Sequence, residues 1–286
     1  MELRCEDGAQ LAAELYGDPA TAHAGLVIAP AMGVAQRFYA DFARWMAAQG
    51  FVVLSFDYRG MGASRPPAFK ASLRGFETDI PTWAKLDAAA ALAEMQRLLG
   101  DDRPLHWLGH SLGSQIVGML PGRERIASVV TIAGGSGYWR ENAAQLKRYV
   151  WLLWWVLVPV LVPLFGYFPG KRLRMVGDLP RGVIRQWRRW CLHPDYLMGE
   201  GGSALREQYA ALKTRILSLS FTDDEFMSRR NIESLHGFYS GAEVELRRIA
   251  PGDVGARRIG HMGFFRTPFQ SSLWPQAAKW LQGESA

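Results

Sequence analysis

Gly109-His110-Ser111-Leu112-Gly113 is the stretch on which the reading of this chain turns. It follows the apolar run Pro104-Leu105-His106-Trp107-Leu108, of a length suited to a buried strand. It precedes Ser114-Gln115-Ile116-Val117-Gly118-Met119-Leu120, in which Ile116, Val117 and Leu120 suit the core-facing side of a helix. A strand that turns sharply into a helix around a serine is a nucleophile elbow. The turn holds the serine in a strained conformation with its hydroxyl above the sheet edge, and the flanking glycines let strand and helix approach closely. With 30 glycines in 286 residues, the five-residue pattern would arise by chance about 0.17 times, so its weight comes from what surrounds it.

The surroundings alternate short β-like runs with helical stretches, the pattern of a mostly parallel sheet flanked by helices. Strands are expected from Leu11 to Tyr16, Gly25 to Ala29, Phe51 to Phe56, Pro104 to Leu108, Ala127 to Ile132, Arg215 to Ser220 and Glu243 to Ile249. Helices are expected from Arg37 to Gln49, where Phe38, Phe42, Trp45 and Met46 share a face, and from about Thr78 to Leu99. Further helices are expected from Arg229 to Gly237 and Gln270 to Gln282. Gly50 and Gly100 follow the first two as C-terminal stops. After Ile132 the alternation stops. The expected division is therefore an α/β core of residues 1–136 and 214–286 with a helical cap inserted at 137–213.

Composition narrows the class. A chain with 49% hydrophobic residues buries a large core, which excludes disorder. Cys5 and Cys191 are far apart and lack metal-ligand spacing. With a charged N-terminus, Met1 to Gly8, that has no apolar run, they point to a reducing, cytoplasmic setting. The net charge of +6 is uneven: residues 137–216 hold 13 Lys and Arg against 5 Asp and Glu. No recognition-helix, zinc-finger or RNA-binding pattern accompanies that charge, so no nucleic-acid partner is expected. No metal cluster, nucleotide loop or haem motif is present either, so neither metal nor cofactor is expected.

A serine hydroxyl needs a base to take its proton and a carboxylate to orient that base. After a nucleophile elbow the chain order is serine, acid, histidine. His236 sits within the expected Arg229 to Gly237 helix and reads as a partly exposed surface residue. His261 lies in the glycine-flanked loop Arg258-Ile259-Gly260-His261-Met262-Gly263 and is the expected base. Phe221-Thr222-Asp223-Asp224-Glu225 follows the strand that ends near Ser220. Asp224 has the better distance from the strand end, Asp223 is the close second, and Glu225 reads as turn chemistry. Two backbone N–H groups must face the oxyanion, one after the nucleophile and one after an earlier strand. Leu112 and Met32, the latter in Ala29-Pro30-Ala31-Met32-Gly33, occupy those places.

These residues resemble the α/β-hydrolase superfamily, more closely its bacterial serine aminopeptidase-like and lysophospholipase-like hydrolases. The resemblance rests on Ala29 to Gly33, Phe56-Asp57-Tyr58-Arg59-Gly60-Met61-Gly62, the Ser111 elbow, Asp224 and His261, in the family's order. It implies Ser111 as nucleophile, His261 as general base, Asp224 as orienting acid, and Met32 and Leu112 as the oxyanion hole. It also implies structural turn roles for Asp57 and Arg59. Pro30-Ala31 departs from the His-Gly of many members. The implied reaction is hydrolysis of a carboxylic ester or related acyl substrate, of esterase or lipase type, and peptidase or thioesterase activity stays open. The alternatives are an acyltransferase or a non-catalytic ligand-binding protein.

The inserted segment carries six of the eleven tryptophans and an uncharged run from Tyr149 to Pro169. The run is long enough for a bilayer span. Pro159 and Pro163 interrupt it, however, and a single span would part the two halves of one sheet. A pair of helices broken at the prolines is expected instead. Trp151, Trp154 and Trp155 stand as candidate contacts to an apolar acyl group. Shallow docking of the segment on a membrane surface is the secondary expectation.

Overall fold

The computed structural model describes residues 1–283. Eight strands form one sheet: β1 Glu2–Arg4, β2 Gln10–Tyr16, β3 Ala24–Ala29, β4 Phe51–Phe56, β5 Leu105–His110, β6 Ile126–Ile132, and, past a two-strand hairpin (β7 Tyr167–Phe168, β8 Leu179–Pro180), β9 Arg215–Phe221 and β10 Glu243–Ile249. Their order is β1-β2-β4-β3-β5-β6-β9-β10. The β1/β2 and β2/β4 pairings are antiparallel and the remainder parallel. The elbow strand β5 thus lies in the middle of the parallel part.

Strands β3, β4 and β5 are buried along their whole length because helices cover both faces of the sheet. Alternate residues feed two separate cores. Val27, Trp107 and Val129 pack with Trp83, Ile116 and Trp190 on one face. Leu26, Ile28, Leu108 and Val130 pack with Phe42, Phe264 and Trp274 on the other.

The helices follow the apolar periodicity with adjusted ends. Gln36–Tyr39 forms a tight 3-10 turn before the α-helix Ala40–Ala48, and Gly50 adopts φ +88° beyond it. Asp79 caps the 80–99 helix by accepting from the Thr82 N–H at 2.8 Å. That helix widens to a π-turn over Trp83–Ala88 before the α-helix Ala89–Leu99. The final helix is shorter than expected, Trp274–Leu281.

Between β6 and β9 the chain leaves the sheet and forms mainly helices, among them Arg181–Leu192 and Met198–Ala210. Here the expected break at the prolines is corrected. Residues 150–165 run on as one helix through Val150–Leu152, a π-turn at Leu153–Leu157 and Val158–Phe165. Pro163 lies inside the last of these segments, and at Pro159 the π-turn explains the continuity. The Val158 N–H goes to the Leu153 carbonyl, and Pro159 has no N–H, which leaves the Trp154 carbonyl unserved. Arg188 Nε donates to it at 2.5 Å. Pro159 falls in the first turn of the segment that follows, where proline is tolerated. Among the described residues no helix is long and apolar enough to cross a membrane.

Candidate active site

Ser111 follows β5 directly, with φ +49° and ψ −105°, a conformation costly for a residue with a Cβ. The glycines around it are dictated by distance. A Cβ on Gly109 would stand 2.3 Å from the Gly113 carbonyl carbon, and a Cβ on Gly113 would stand 2.2 Å from the carbonyl oxygen of Ala29 on β3. The turn is fastened by Ser111 N–H to Ile132 O (3.0 Å), Ser114 Oγ to Gly109 O (2.6 Å) and Trp107 Nε1 to Gly113 O (3.0 Å). The following α-helix, Leu112–Gln115, is a single turn continued by the 3-10 turn Val117–Met119. Ile116, Val117 and Leu120 are buried as expected.

The three consecutive carboxylates after β9 all tie down the loop that carries His261. Asp223 accepts the N–H groups of Ile259 (2.8 Å) and Gly260 (3.1 Å), and Glu225 accepts the N–H of His261 (3.1 Å). Asp224 Oδ2 lies 2.8 Å from His261 Nδ1, while its other oxygen accepts from the N–H groups of Phe226 (2.8 Å) and Met227 (3.0 Å). A carboxylate flanked by donors accepts, so Nδ1 carries the proton and Nε2 is left to accept one. Both side chains are buried. Ser111 keeps 9% of its surface and His261 4%. Among the described residues Ser111 Oγ makes no hydrogen bond.

Leu112 is the first residue of its helix and Met32 lies in the turn after β3. Neither backbone N–H finds an acceptor among the described residues, so both donors are free.

Sequence reading missed a buried network that joins these pieces. The Ala31 N–H donates to Tyr39 Oη at 2.8 Å, Tyr39 Oη lies 3.0 Å from His110 Nδ1, and His110 Nε2 lies 3.1 Å from the carbonyl oxygen of His261. The carbonyl can only accept, so His110 Nε2 carries the hydrogen and Tyr39 donates to Nδ1. Burial, and then the nearby His261, push the His110 pKa well below its usual range, so the ring stays neutral. Burial pushes the Tyr39 pKa up, keeping its hydroxyl a donor. The partners lie 71 and 151 residues apart in the chain, and no local pattern announces them.

Asp57 receives the N–H groups of Gln36 (2.7 Å) and Ala63 (2.8 Å), and Arg59 pairs with Asp87 (2.6 Å) and Asp7 (2.5 Å). His236 differs from its expected exposure. It is buried, between Thr131 Oγ1 (2.9 Å) and Ile232 O (2.7 Å). Trp154 is buried against Trp187, ring centroids 5.1 Å apart. Trp151 and Trp155 are about half exposed, and Trp155 packs edge-on against Trp139. No group of acidic, histidine or cysteine side chains among the described residues could hold a metal ion.

The sequence profile of the alpha/beta hydrolase fold matches residues 31–158. No curated protein matches the chain by sequence. Among solved structures, the chain is similar to a soluble variant of monoglyceride lipase from Saccharomyces cerevisiae in complex with a substrate analog. That match has a TM-score of 0.65 and 14% identity, covering 100% of this chain and 95% of that one. It is also similar to a monoacylglycerol lipase of Paleococcus ferrophilus (0.61, 15% identity, 96% and 99% covered). An esterase of Pyrococcus furiosus is a further match (0.62, 14% identity, 100% and 91% covered).

Proposed function

From a chain that has the α/β-hydrolase fold, we propose a serine hydrolase that cleaves a carboxylic ester or related acyl substrate through an acyl-enzyme on Ser111. The observation that carries this reading is the buried 2.8 Å contact between Asp224 and His261, at the sheet edge where Ser111 is held at φ +49°. In the proposed cycle His261 Nε2 takes the Ser111 proton as Oγ attacks the acyl carbon. The imidazolium, stabilised by Asp224, then passes that proton to the leaving group. Water, deprotonated by the same imidazole, attacks the acyl carbon; the bond to Oγ breaks, Oγ takes the proton back from the imidazolium, and the acid leaves. The free N–H groups of Met32 and Leu112 are suited to receive the negative oxygen in both halves.

Residues 137–213 form the proposed cap, and the apolar character of that segment favours an apolar acyl group. Acyl transfer on the same scaffold would differ only in the second nucleophile. The solved lipases and esterases with this fold accord with ester chemistry, at identities that speak for fold alone.

An active-site-directed fluorophosphonate should label the wild-type protein and leave Ser111→Ala unlabelled. Turnover of a short p-nitrophenyl ester should vanish with it. Equal labelling of both proteins, or none of the wild type, overturns the proposal in favour of a non-catalytic binding protein.

A further inference from the structure

The helix at residues 150–165 has an anomalous outer face. A helix on the surface of a water-soluble domain buries one apolar stripe and turns charged or polar residues outward. Here Val150, Trp154, Val158 and Val162 are buried against the rest of the chain. The outward face presents Trp151, Leu152, Trp155, Val156, Val160 and Leu164, of which Val160 and Leu164 are 57% and 62% exposed. No charged residue occurs from 149 to 169. Single exposed apolar residues need no explanation, but a contiguous stripe over four helical turns marks a binding surface.

The charges that flank this helix in the chain are of one sign up to Asp178, whose carboxylate accepts the Lys171 N–H at 3.2 Å and pairs with Arg65 at 3.2 Å. Between Glu141 and Asp178 the chain contains no acidic residue and five basic ones, Lys147 and Arg148 before the helix and Lys171, Arg172 and Arg174 after it. Residues 171–175 are all exposed, with Leu173 between the cations and Met175 after them. Arg172 lies over the Phe165 ring at 5.5 Å, which places a cation at the C-terminal end of the stripe. The face is built in advance, because Arg188 satisfies the carbonyl that Pro159 leaves unserved. It also adjoins the candidate site. Gly177 lies so close to Gly33, next to Met32, that a Cβ on Gly33 would stand 2.7 Å from the Gly177 nitrogen.

We infer that this face docks the protein onto an anionic lipid surface, with Trp151, Trp155 and the aliphatic stripe in the headgroup boundary and the flanking cations on lipid phosphates. Exposed tryptophan beside lysine and arginine is the composition that favours the membrane interface. Charge chooses this occupant over a second copy of the chain. Pairing the face with itself would bring like cations together with no carboxylate in the segment to offset them. An anionic bilayer supplies the missing charge along the whole stripe. The inference does not depend on Ser111 being a nucleophile.

The test is co-sedimentation of the full chain with vesicles of phosphatidylcholine containing about one-third phosphatidylglycerol, and of phosphatidylcholine alone, at low and high salt. Wild type and Ser111→Ala should bind the anionic vesicles equally and release in high salt, with tryptophan emission shifted to the blue on binding. The double variant Val160→Asp, Leu164→Asp should lose binding. Both positions are exposed, and thermal unfolding checks that the variant folds. Lys171→Gln, Arg172→Gln and Arg174→Gln together should weaken binding to anionic vesicles about a hundredfold, roughly fivefold per cation. No binding of the wild type at low salt overturns the inference, as does binding that the aspartate variant retains. A wild-type dimer that the aspartate variant splits and vesicles do not compete with assigns the face to a second copy instead.

Discussion

His110 Nε2 donates to the backbone carbonyl of His261 across 3.1 Å, so the residue before the serine holds the backbone of the residue proposed as its base. On its other nitrogen the same ring receives Tyr39, which in turn holds the N–H next to Met32. Tyr39→Phe removes the hydroxyl that links the turn after β3 to the elbow while leaving the ring to fill its place. The expected result is a kcat on a soluble ester lowered roughly tenfold to hundredfold with KM little changed, since positioning fails in the transition state more than in the ground state. Unchanged kcat would make the network purely structural.

Asp224 and Asp223 serve the same loop through different atoms, and kinetics separates them. Asp224→Asn should lower kcat by roughly 10³ to 10⁴, because an amide at 2.8 Å from Nδ1 neither fixes the tautomer nor stabilises the imidazolium. Asp223→Asn keeps one acceptor oxygen, loses one of its two contacts to the Ile259 and Gly260 N–H groups, and should cost about tenfold or less. The reverse ranking would move the acid to Asp223.

The strain at Ser111 is measurable as stability. Ser111→Gly places at φ +49° a residue that tolerates it, and should raise unfolding free energy by about 1 kcal/mol while removing turnover. Denaturant titration of both proteins is the check.

Gly113→Ala tests the opposite limit. The added Cβ would meet the Ala29 carbonyl oxygen at 2.2 Å, and that atom belongs to a strand that cannot retreat. A loss of about 3 kcal/mol is expected, read by denaturant titration.

His236 should make the fold sensitive to acid. Burial pushes its pKa down to about 4, against about 6.5 in the unfolded chain. On acidification the unfolded chain therefore takes up the proton first. The stabilisation is complete above the unfolded value and is lost as pH falls toward 4. Between pH 7 and 5 the wild type should lose about 2 kcal/mol more than His236→Gln. Equal slopes for the two proteins would place the acid sensitivity elsewhere.

Much of the sheet was legible because buried strands leave long apolar runs between glycine and proline stops; both ends of β4 and β10 are where the sequence puts them. Strand β1 has only three residues, too few for a pattern to register. Asp224 and His261, picked by chain order and distance from strand ends, do lie side by side. His236 was misread because its arginine-rich helix looks exposed, although its four-residue spacing from Ile232 carried the correct face. The 150–165 helix was misread because proline in a sequence signals a break. A π-turn and an arginine from another helix, which together absorb the lost hydrogen bond, leave no local trace. Tyr39 and His110 meet only through the fold.

The two cores meet at the candidate site. Met32 and Leu112 belong to the packing on one face of the sheet, while Ile259, Phe264 and Phe265, around His261, belong to the other. Neither layer alone can bring the proposed oxyanion donors and the imidazole together. Ester turnover in this chain would therefore report on the docking of both layers at once. A mutation deep in either core, tens of residues from Ser111, would silence the chemistry as soon as it lets one layer slip.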